Sequence, residues 1–176
     1  NCSYCSIKQA RGKISSRPIQ TIVSEIKDGL ELGYHDFALI GTDIGDYGND
    51  LETNLLELLK AIILLPGRFQ LRLRNVNPRW IVPNADVLCE ILKSGKIGYI
   101  QSPIQSGSNR ILKLMNRGYR IEDYKKAILT INKEFPEIQI RTQLMAGFPS
   151  ETEEEFQDTA RLLDEVTFDL AEVYMF

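Results

Sequence analysis

The sequence contains few of the residues that build metal sites and hydrolytic sites. Its 176 residues include three cysteines and one histidine, and no GxSxG motif occurs. A Ser-His-Asp triad therefore has nothing to be built from. The odd number of cysteines, with no visible secretory signal, argues against a disulfide framework and favours a reducing cytoplasm.

Long apolar runs are also absent. No run approaches about 18 residues, the length of a membrane-spanning helix, so we expect no association with a membrane. Hydrophobic residues make up 43% of the chain and charged residues 26%. This composition is typical of a globular protein and argues against a disordered chain. The length fits a single domain.

Acidic residues are missing from the first 20 positions, although the net charge of the whole chain is −3. The same stretch holds four basic residues, Lys8, Arg11, Lys13 and Arg17. This basic segment is a candidate contact for an anionic partner, and a merely solvated surface is the alternative.

Helical and strand-like patterns alternate along the rest of the chain. Pro18 opens an amphipathic helix that Gly33 ends, and Ser150 with Glu153 predicts a capping box for an acid-rich helix running to about Val166. Further helices are predicted over 51–63, 84–94, 109–116 and 122–134, and strands over 37–44, 69–76, 97–104, 138–148 and 170–176. This order predicts a parallel sheet in one α/β domain, either open or curled into a barrel.

Three of the predicted strands have one polar face. In the strand over 138–148, Gln139, Arg141 and Gln143 alternate with apolar residues. The other pairs of this kind are Arg72 with Arg74 and Gln101 with Gln105. A sheet covered by helices on both faces would be apolar throughout. The polar face is typical of a functional lumen or cleft, and an edge strand with one face in water is the alternative.

Cys2 and Cys5 form a CxxC pair, whose thiolates can reach one metal or each other. A zinc site needs two more ligands, yet Cys89 lies in an apolar helical stripe and is expected to be a small buried hydrophobe. We expect the single histidine, His35, to be a solvated turn residue. A thioredoxin-like dithiol requires a helix that starts at the second cysteine, and basic and turn-forming residues follow Cys5 instead.

Four blocks of the sequence resemble the radical S-adenosylmethionine methylthiotransferases. The first is NCSYCSIKQARGKISSRPIQTIVSEI, which resembles that family's CxxxCxxC cluster loop and the basic RGxxxSRP segment after it. The others are LIGTDIGDYG at 39–48, PIQSGSNRILKLMNRGY at 103–119 and RTQLMAGFPSETEEEF at 141–156. The resemblance is specific because four such blocks follow one another in this order over essentially the whole chain.

The resemblance implies that residues 1–176 form a radical SAM core, a partial (β/α)6 TIM-like barrel whose first strand is missing or incomplete. It implies a [4Fe-4S] cluster at the C-terminal ends of the strands, with Cys2 and Cys5 as its second and third ligands. The first ligand would lie just before Asn1. Three thiolates leave one iron open for the amino and carboxylate groups of S-adenosylmethionine. The family's N-terminal domain with a second [4Fe-4S] cluster, and its C-terminal RNA-binding domain, are expected outside this fragment, which alone should be inactive.

The activity implied by the resemblance is methylthiolation of a tRNA adenosine in the cytoplasm. An external electron donor would drive reductive cleavage of S-adenosylmethionine to a 5′-deoxyadenosyl radical. The basic segment would then be a candidate contact for tRNA. The family also includes enzymes that methylthiolate an aspartate of a ribosomal protein, and the sequence does not separate the two substrates. The rival interpretation is a non-catalytic α/β binding module with an incidental or zinc-binding CxxC pair.

The resemblance also assigns cofactor-binding roles to nine positions. They are Tyr4, Gly147 and Phe148 beside the adenine, Gly41, Thr42 and Asp43 at the methionine amino group, and Gln105, Ser106 and Arg141 at the ribose or carboxylate. Arg141 suits a carboxylate because a guanidinium can pair with it through two hydrogen bonds. The alternatives are ordinary loop packing for Tyr4, a plain turn around Asp43 and a structural ion pair for Arg141.

Overall fold

The computed structural model describes residues 2–176 and contains five strands joined by helices. The strands are β1 (Asp36–Leu39), β2 (Gln70–Leu73), β3 (Ile97–Gln101), β4 (Gln139–Ala146) and β5 (Leu170–Met175). The helices are α1 (Ile7–Arg11), α2 (Ile19–Glu31), α3 (Leu55–Ile63), α4 (Pro78–Leu92), α5 (Asn109–Leu114), α6 (Ile121–Glu134) and α7 (Glu153–Glu165). A 3₁₀ turn, Ile44–Asp46, follows β1.

All five strands are parallel, and they are arranged in the order in which they occur in the chain, β1-β2-β3-β4-β5. Each strand therefore pairs with its sequence neighbours, as successive β-α-β units require. The two outer strands, β1 and β5, do not pair with each other, so the sheet is an open one. The predicted α/β class and parallel sheet are confirmed.

The strands are apolar on one face and polar on the other. Leu71, Leu73, Ile100 and Ile140 are fully or almost fully buried in one core with the helices. On the opposite face Arg72 lies beside Tyr99, and Gln101 beside Arg141. The strands β2, β3 and β4 are flanked on both sides, so an edge position does not explain their polarity. The alternative of an edge strand is therefore excluded for these three strands, and a functional lumen or cleft remains the interpretation of their polar face.

Three predicted strands extend beyond the sheet at their carboxyl ends. The sheet ends at Leu39, Leu73 and Gln101, whereas the predicted strands continue to residues 44, 76 and 104. Apolar residues in the following loops, such as Val76 and Ile104, are fully buried without joining a strand. The hydrophobic pattern therefore indicates which of these residues are buried, but it does not indicate where the hydrogen bonds between strands end.

The capping box of α7 was predicted at the wrong residues. Thr152 caps the helix and pairs with Glu155, whereas Ser150 lies outside the helix with φ +70°. The helix predicted over 84–94 begins earlier, at Pro78, because the Asn77 side chain accepts a hydrogen bond from the backbone N–H of Arg79. The short helix α1, two residues after Cys5, was not predicted.

Glu155 links the start of α7 to the loop before α5. It accepts hydrogen bonds from Arg110 at 2.6 and 2.8 Å, from the Ser108 hydroxyl at 2.9 Å and from the Thr152 backbone at 3.0 Å. These donors, with Arg110 as the main one, lower the pKa of Glu155 to about 2. The carboxylate thereby ties together the two loops that follow β3 and β4.

We predict that Glu155→Gln lowers the free energy of unfolding by about 1 kcal/mol near neutral pH, because the half-exposed ion pair with Arg110 is lost. A depressed folded-state pKa means that this stabilisation is present above about pH 4.3, the unfolded value, and is lost as the pH falls towards 2. Urea unfolding of wild type and variant should therefore converge at acid pH. Glu154→Gln, an exposed neighbour on α7, is the control, and an identical pH response of both variants would contradict the role of Glu155.

Candidate functional site

The segment of residues 2–17 crosses the edge of the sheet where the strands end. Near its start, Ser3 donates a backbone hydrogen bond to Met115 at 3.1 Å, just after α5. Towards its other end, Arg11 Nη1 lies 3.3 Å from the Thr42 hydroxyl, in the loop after β1. The carboxyl ends of parallel strands meet at one edge, which is where α/β proteins bind ligands. The segment therefore runs across the expected ligand-binding edge.

Cys2 and Cys5 form a turn within this segment, in which the Cys5 backbone N–H donates to the Cys2 carbonyl at 3.2 Å. Both thiols are free, Cys2 half-buried and Cys5 exposed. Cys89 is buried in α4, as expected. Within residues 2–176, no third Cys, His, Asp or Glu joins the pair in a group that could hold a metal ion. A zinc site made wholly by the described residues is therefore not supported.

Arg117 is a site residue that the sequence interpretation missed. Its side chain is 5% exposed, and Nη1 lies 3.1 Å from the sulfur of Cys2. Nη2 donates a hydrogen bond to the carbonyl of Pro103, in the loop after β3. The sequence feature that could have identified Arg117 is its position inside the third family-like block, PIQSGSNRILKLMNRGY.

An aromatic contact connects the cysteine turn to the loop after β4. The ring of Tyr4 meets the ring of Phe148 edge-on, with centroids 6.1 Å apart, and Phe148 meets Phe176 in the same way at 5.2 Å. Burial is the main reason that the pKa of Tyr4 rises to about 12. Gly147, with φ +82° and no atom within 4 Å of where a Cβ would lie, leaves open backbone beside this pair. Tyr4 thus lies against Phe148, next to Gly147, and their assignment to the adenine stays a prediction.

Gly41, Thr42 and Asp43 form the loop directly after β1. The Gly41 carbonyl accepts a hydrogen bond from Asn75 at 2.9 Å, and Asp43 accepts one from the Gly45 backbone at 3.0 Å. Burial, and then the charge of the neighbouring Asp46, raise the pKa of Asp43. The Asp43 carboxylate therefore stabilises the turn, which is the alternative role given above for this residue. The loop itself lies at the carboxyl edge of the sheet.

Gln105 and Ser106 lie in the loop after β3 and differ in their surroundings. Gln105 has φ +85° and exchanges backbone hydrogen bonds with β4, accepting from Met145 at 2.8 Å and donating to Gln143 at 2.9 Å. Ser106 is fully buried, and its hydroxyl accepts from the Ser108 backbone at 3.1 Å. The Ser106 hydroxyl is therefore hydrogen-bonded inside the protein, where it stabilises the conformation of its loop.

Arg141 lies on the inner face of the sheet in a cavity of about 420 Å³. Its guanidinium carbon is 5.2 Å from the centre of the Tyr99 ring, and its buried Nε has no hydrogen-bond partner. The cavity lining consists of Asp36, Ala38, Arg72, Arg74, Tyr99 and Arg141. Because Arg72 pairs with Asp36, the cavity retains an excess of positive charge from the other two arginines. This arrangement can receive an anionic group, and Arg141 takes part in no ion pair of the described residues.

The basic segment is only partly available to a partner. Arg17 forms an ion pair with Glu25, and Arg11 contacts Thr42. Lys13 is exposed, whereas the side chain of Lys8 lies outside the described part of the structure.

His35, predicted to be a solvated turn residue, is exposed. Within residues 2–176, every helix is too short or too polar to cross a lipid bilayer.

Comparison with known proteins finds relatives with similar sequences over nearly the whole chain. The chain is 37% identical over 178 residues to a tRNA-2-methylthio-N(6)-dimethylallyladenosine synthase of Clostridium tetani, covering 99% of this chain and 39% of the relative. It is 35% identical over 169 residues to the threonylcarbamoyladenosine tRNA methylthiotransferase of Homo sapiens, covering 95% of this chain and 29% of the relative. The chain thus spans about two fifths or less of the length of these relatives.

The fold also matches solved structures. Coproporphyrinogen III oxidase from Escherichia coli, described as a radical SAM enzyme, superimposes with a TM-score of 0.59 at 20% identity, covering 93% of this chain and 39% of that one. This likeness confirms the expected fold, a partial TIM-like barrel. The sequence profile of the radical SAM superfamily, in which SAM is S-adenosylmethionine, matches residues 1–163 of this chain. Because the match covers most of the chain, the chain belongs to the radical SAM superfamily.

Proposed function

We propose that this chain is the catalytic core of an enzyme that methylthiolates an adenosine of tRNA. The observation that carries the proposal is the position of the CxxC turn, which joins the carboxyl edge of the sheet through the contacts of Cys2 with Arg117 and of Tyr4 with Phe148. The names of the relatives from Clostridium tetani and Homo sapiens support tRNA as the substrate.

Membership of the superfamily implies a [4Fe-4S] cluster and S-adenosylmethionine as cofactors. The residues present fit a cluster, because two free thiols share one turn and the sulfur of one of them already accepts a hydrogen bond. Cys2 and Cys5 would hold two irons, and the third thiolate would come from just before Asn1. When bound, the cluster supplies the electron that cleaves S-adenosylmethionine. The source of that electron would be an external donor, and a second [4Fe-4S] cluster would belong to an N-terminal domain of the whole protein.

The chain's own residues would bind and orient S-adenosylmethionine. The half-buried ring of Tyr4, supported by the buried ring of Phe148, and the open backbone of Gly147 would border an adenine. The guanidinium of Arg141, which lines the cavity and pairs with no carboxylate of residues 2–176, would bind the carboxylate. The loop of Gly41, Thr42 and Asp43 would receive the amino group, and Gln105 would face the ribose. Ser106 would act through the shape of its loop.

The proposed substrate, tRNA, is an anion, and this chain has basic side chains that could contact it. Lys13 is exposed on the segment that crosses the carboxyl edge, and Arg11 lies on the same segment. Lys and Arg side chains of this kind contact phosphates without reading sequence. A tRNA substrate would place the reaction in the cytoplasm. An aspartate of a ribosomal protein is the alternative acceptor, and a non-catalytic module remains the alternative outcome of the metal test below.

We predict that the protein, extended upstream to include the proposed first ligand and reconstituted without oxygen, binds about four irons per chain. Cys5→Ala should remove most of the bound iron and its visible absorption, since only two thiolates would remain. Cys89→Ala is the matched control because Cys89 is buried in α4, and this variant should keep its iron. Zinc in place of iron, or equal loss of iron from both variants, would contradict the proposal.

We predict that Arg141→Met weakens binding of S-adenosylmethionine about tenfold or more, because a hydrogen bond between charged groups is lost. Equilibrium dialysis with the reconstituted protein measures this change. Arg161→Met is the control, since Arg161 pairs with Asp158 at the surface of α7. An unchanged dissociation constant for Arg141→Met would leave only a structural role for that guanidinium, stacked on Tyr99.

We predict that deleting the gene for the full-length protein removes one methylthiolated adenosine from cellular tRNA. Mass spectrometry of nucleosides from hydrolysed tRNA measures the loss, and the intact gene on a plasmid should restore the nucleoside. Loss of a methylthio group from a ribosomal protein, with tRNA unchanged, would favour the alternative substrate instead.

A further inference from the structure

Arg117 is a buried cation for which the structure provides no carboxylate. Its side chain is 5% exposed, and no Asp or Glu of residues 2–176 forms an ion pair with it. Its guanidinium lies 6.0 Å from the ring centre of Tyr119, and its Nε has no hydrogen-bond partner. Burying a guanidinium is costly unless an opposite charge and hydrogen bonds compensate for the lost water. Arg117 therefore requires an anion close by.

The sulfur of Cys2 is in direct contact with this guanidinium. It lies 3.1 Å from Arg117 Nη1, within hydrogen-bond distance for a sulfur acceptor. Nη2 donates to the neutral carbonyl of Pro103. The two ends of the guanidinium thus contact the CxxC turn and the loop after β3.

The end of α5 holds both members of this pair. The backbone N–H of Arg117 donates to Leu112 at 2.9 Å, so Arg117 closes the last turn after the helix. Ser3, the residue next to Cys2, donates from its backbone to Met115 at 3.1 Å and from its hydroxyl to Leu114 at 2.7 Å. The Arg117–Cys2 distance is thus set by backbone bonds on both sides, and a flexible surface contact would lack that support.

We propose that Arg117 is a positioning residue that donates a hydrogen bond to the sulfur of Cys2 and raises the reduction potential of the cluster that Cys2 ligates. This inference rests on the proposed function, in which Cys2 is a cluster ligand. Reduction adds negative charge to a cluster, and hydrogen bonds to its sulfurs are among the features that set its potential. A buried cation with an N–H directed at a ligating sulfur favours the reduced state. Without it the cluster would be harder to reduce.

The test is an anaerobic redox titration of the reconstituted full-length protein in which the cysteines of the N-terminal-domain cluster are replaced by alanine, so that only the cluster at Cys2 and Cys5 titrates. Electron paramagnetic resonance then follows the reduction of that cluster. We expect Arg117→Met to lower the equilibrium constant for reduction about tenfold, a shift of about 59 mV to more negative potential. Arg117→Lys keeps the charge but loses the forked geometry, so its midpoint should lie between the two. Arg120→Met is the matched control. Arg120 lies three residues after Arg117 and is an exposed partner of Glu122, so this variant should leave the midpoint unchanged.

The outcomes separate this inference from the proposed function. A wild-type protein that takes up no iron would overturn both, because no cluster would then exist to be tuned. A wild-type cluster whose midpoint is unchanged in Arg117→Met would overturn the role of Arg117 and leave the function standing. Should Arg117→Met lose its cluster while Arg117→Lys retains one at a more negative midpoint, the inference is supported. Unfolding of both variants, seen by circular dichroism, would assign Arg117 to packing alone and overturn it.

Discussion

The attachment of residues 2–17 to the carboxyl edge of the sheet is the constraint on which the site depends. Hydrogen bonds from the backbone and hydroxyl of Ser3 to the end of α5 hold the CxxC turn in place. The ring of Tyr4 packs against Phe148 in the loop after β4. Without these contacts the CxxC turn would not be held at this edge. With them, it lies beside the loops that follow β3 and β4, and the same segment reaches the loop after β1 through Arg11.

Two arginines lack a carboxylate partner among residues 2–176: Arg117 is buried, and Arg141 is partly buried with its Nε fully enclosed. Arg117 contacts the sulfur of Cys2, and Arg141 lies on Tyr99 with its Nε unpartnered. Neither guanidinium pairs with a carboxylate of residues 2–176. Buried cations without counterions are rare in a core that serves stability alone, since each carries a desolvation cost. Such groups are typical of sites that receive anionic ligands, and a thiolate cluster and a methionine carboxylate are ligands of that chemistry.

The open, one-sided sheet explains how a small chain can hold such a site. Helices cover only the apolar face, where Leu71, Leu73 and Ile140 join the main core. The inner face is left for polar side chains, so catalytic and binding residues do not compete with packing. Loops after the strands supply the rest of the site, as in other barrels of parallel strands. The arginine-lined cavity of about 420 Å³ is a direct result of this division.

Much of this architecture follows from local sequence pattern. Alternation along residues 138–148 predicted which residues of β4 face the interior, because side chains in a strand point to opposite faces in turn. The boundaries were less predictable: Val76 and Ile104 are buried in loops, and the cap of α7 is Thr152, two residues after the predicted Ser150. In both cases tertiary contacts, which a local pattern does not contain, decide where an element ends.

The fold class and the polar face of the sheet were predictable from the amino-acid pattern, because periodicity is a property of residues near one another in the chain, and the superfamily was recognisable from four family-like blocks. The contact of Arg117 with Cys2, 115 positions earlier, and the burial of the Ser106 hydroxyl emerge only in the folded chain. Such pairings depend on where separate loops meet in space. A charge and a sulfur that far apart in sequence become neighbours only when the strands bring their loops to one edge.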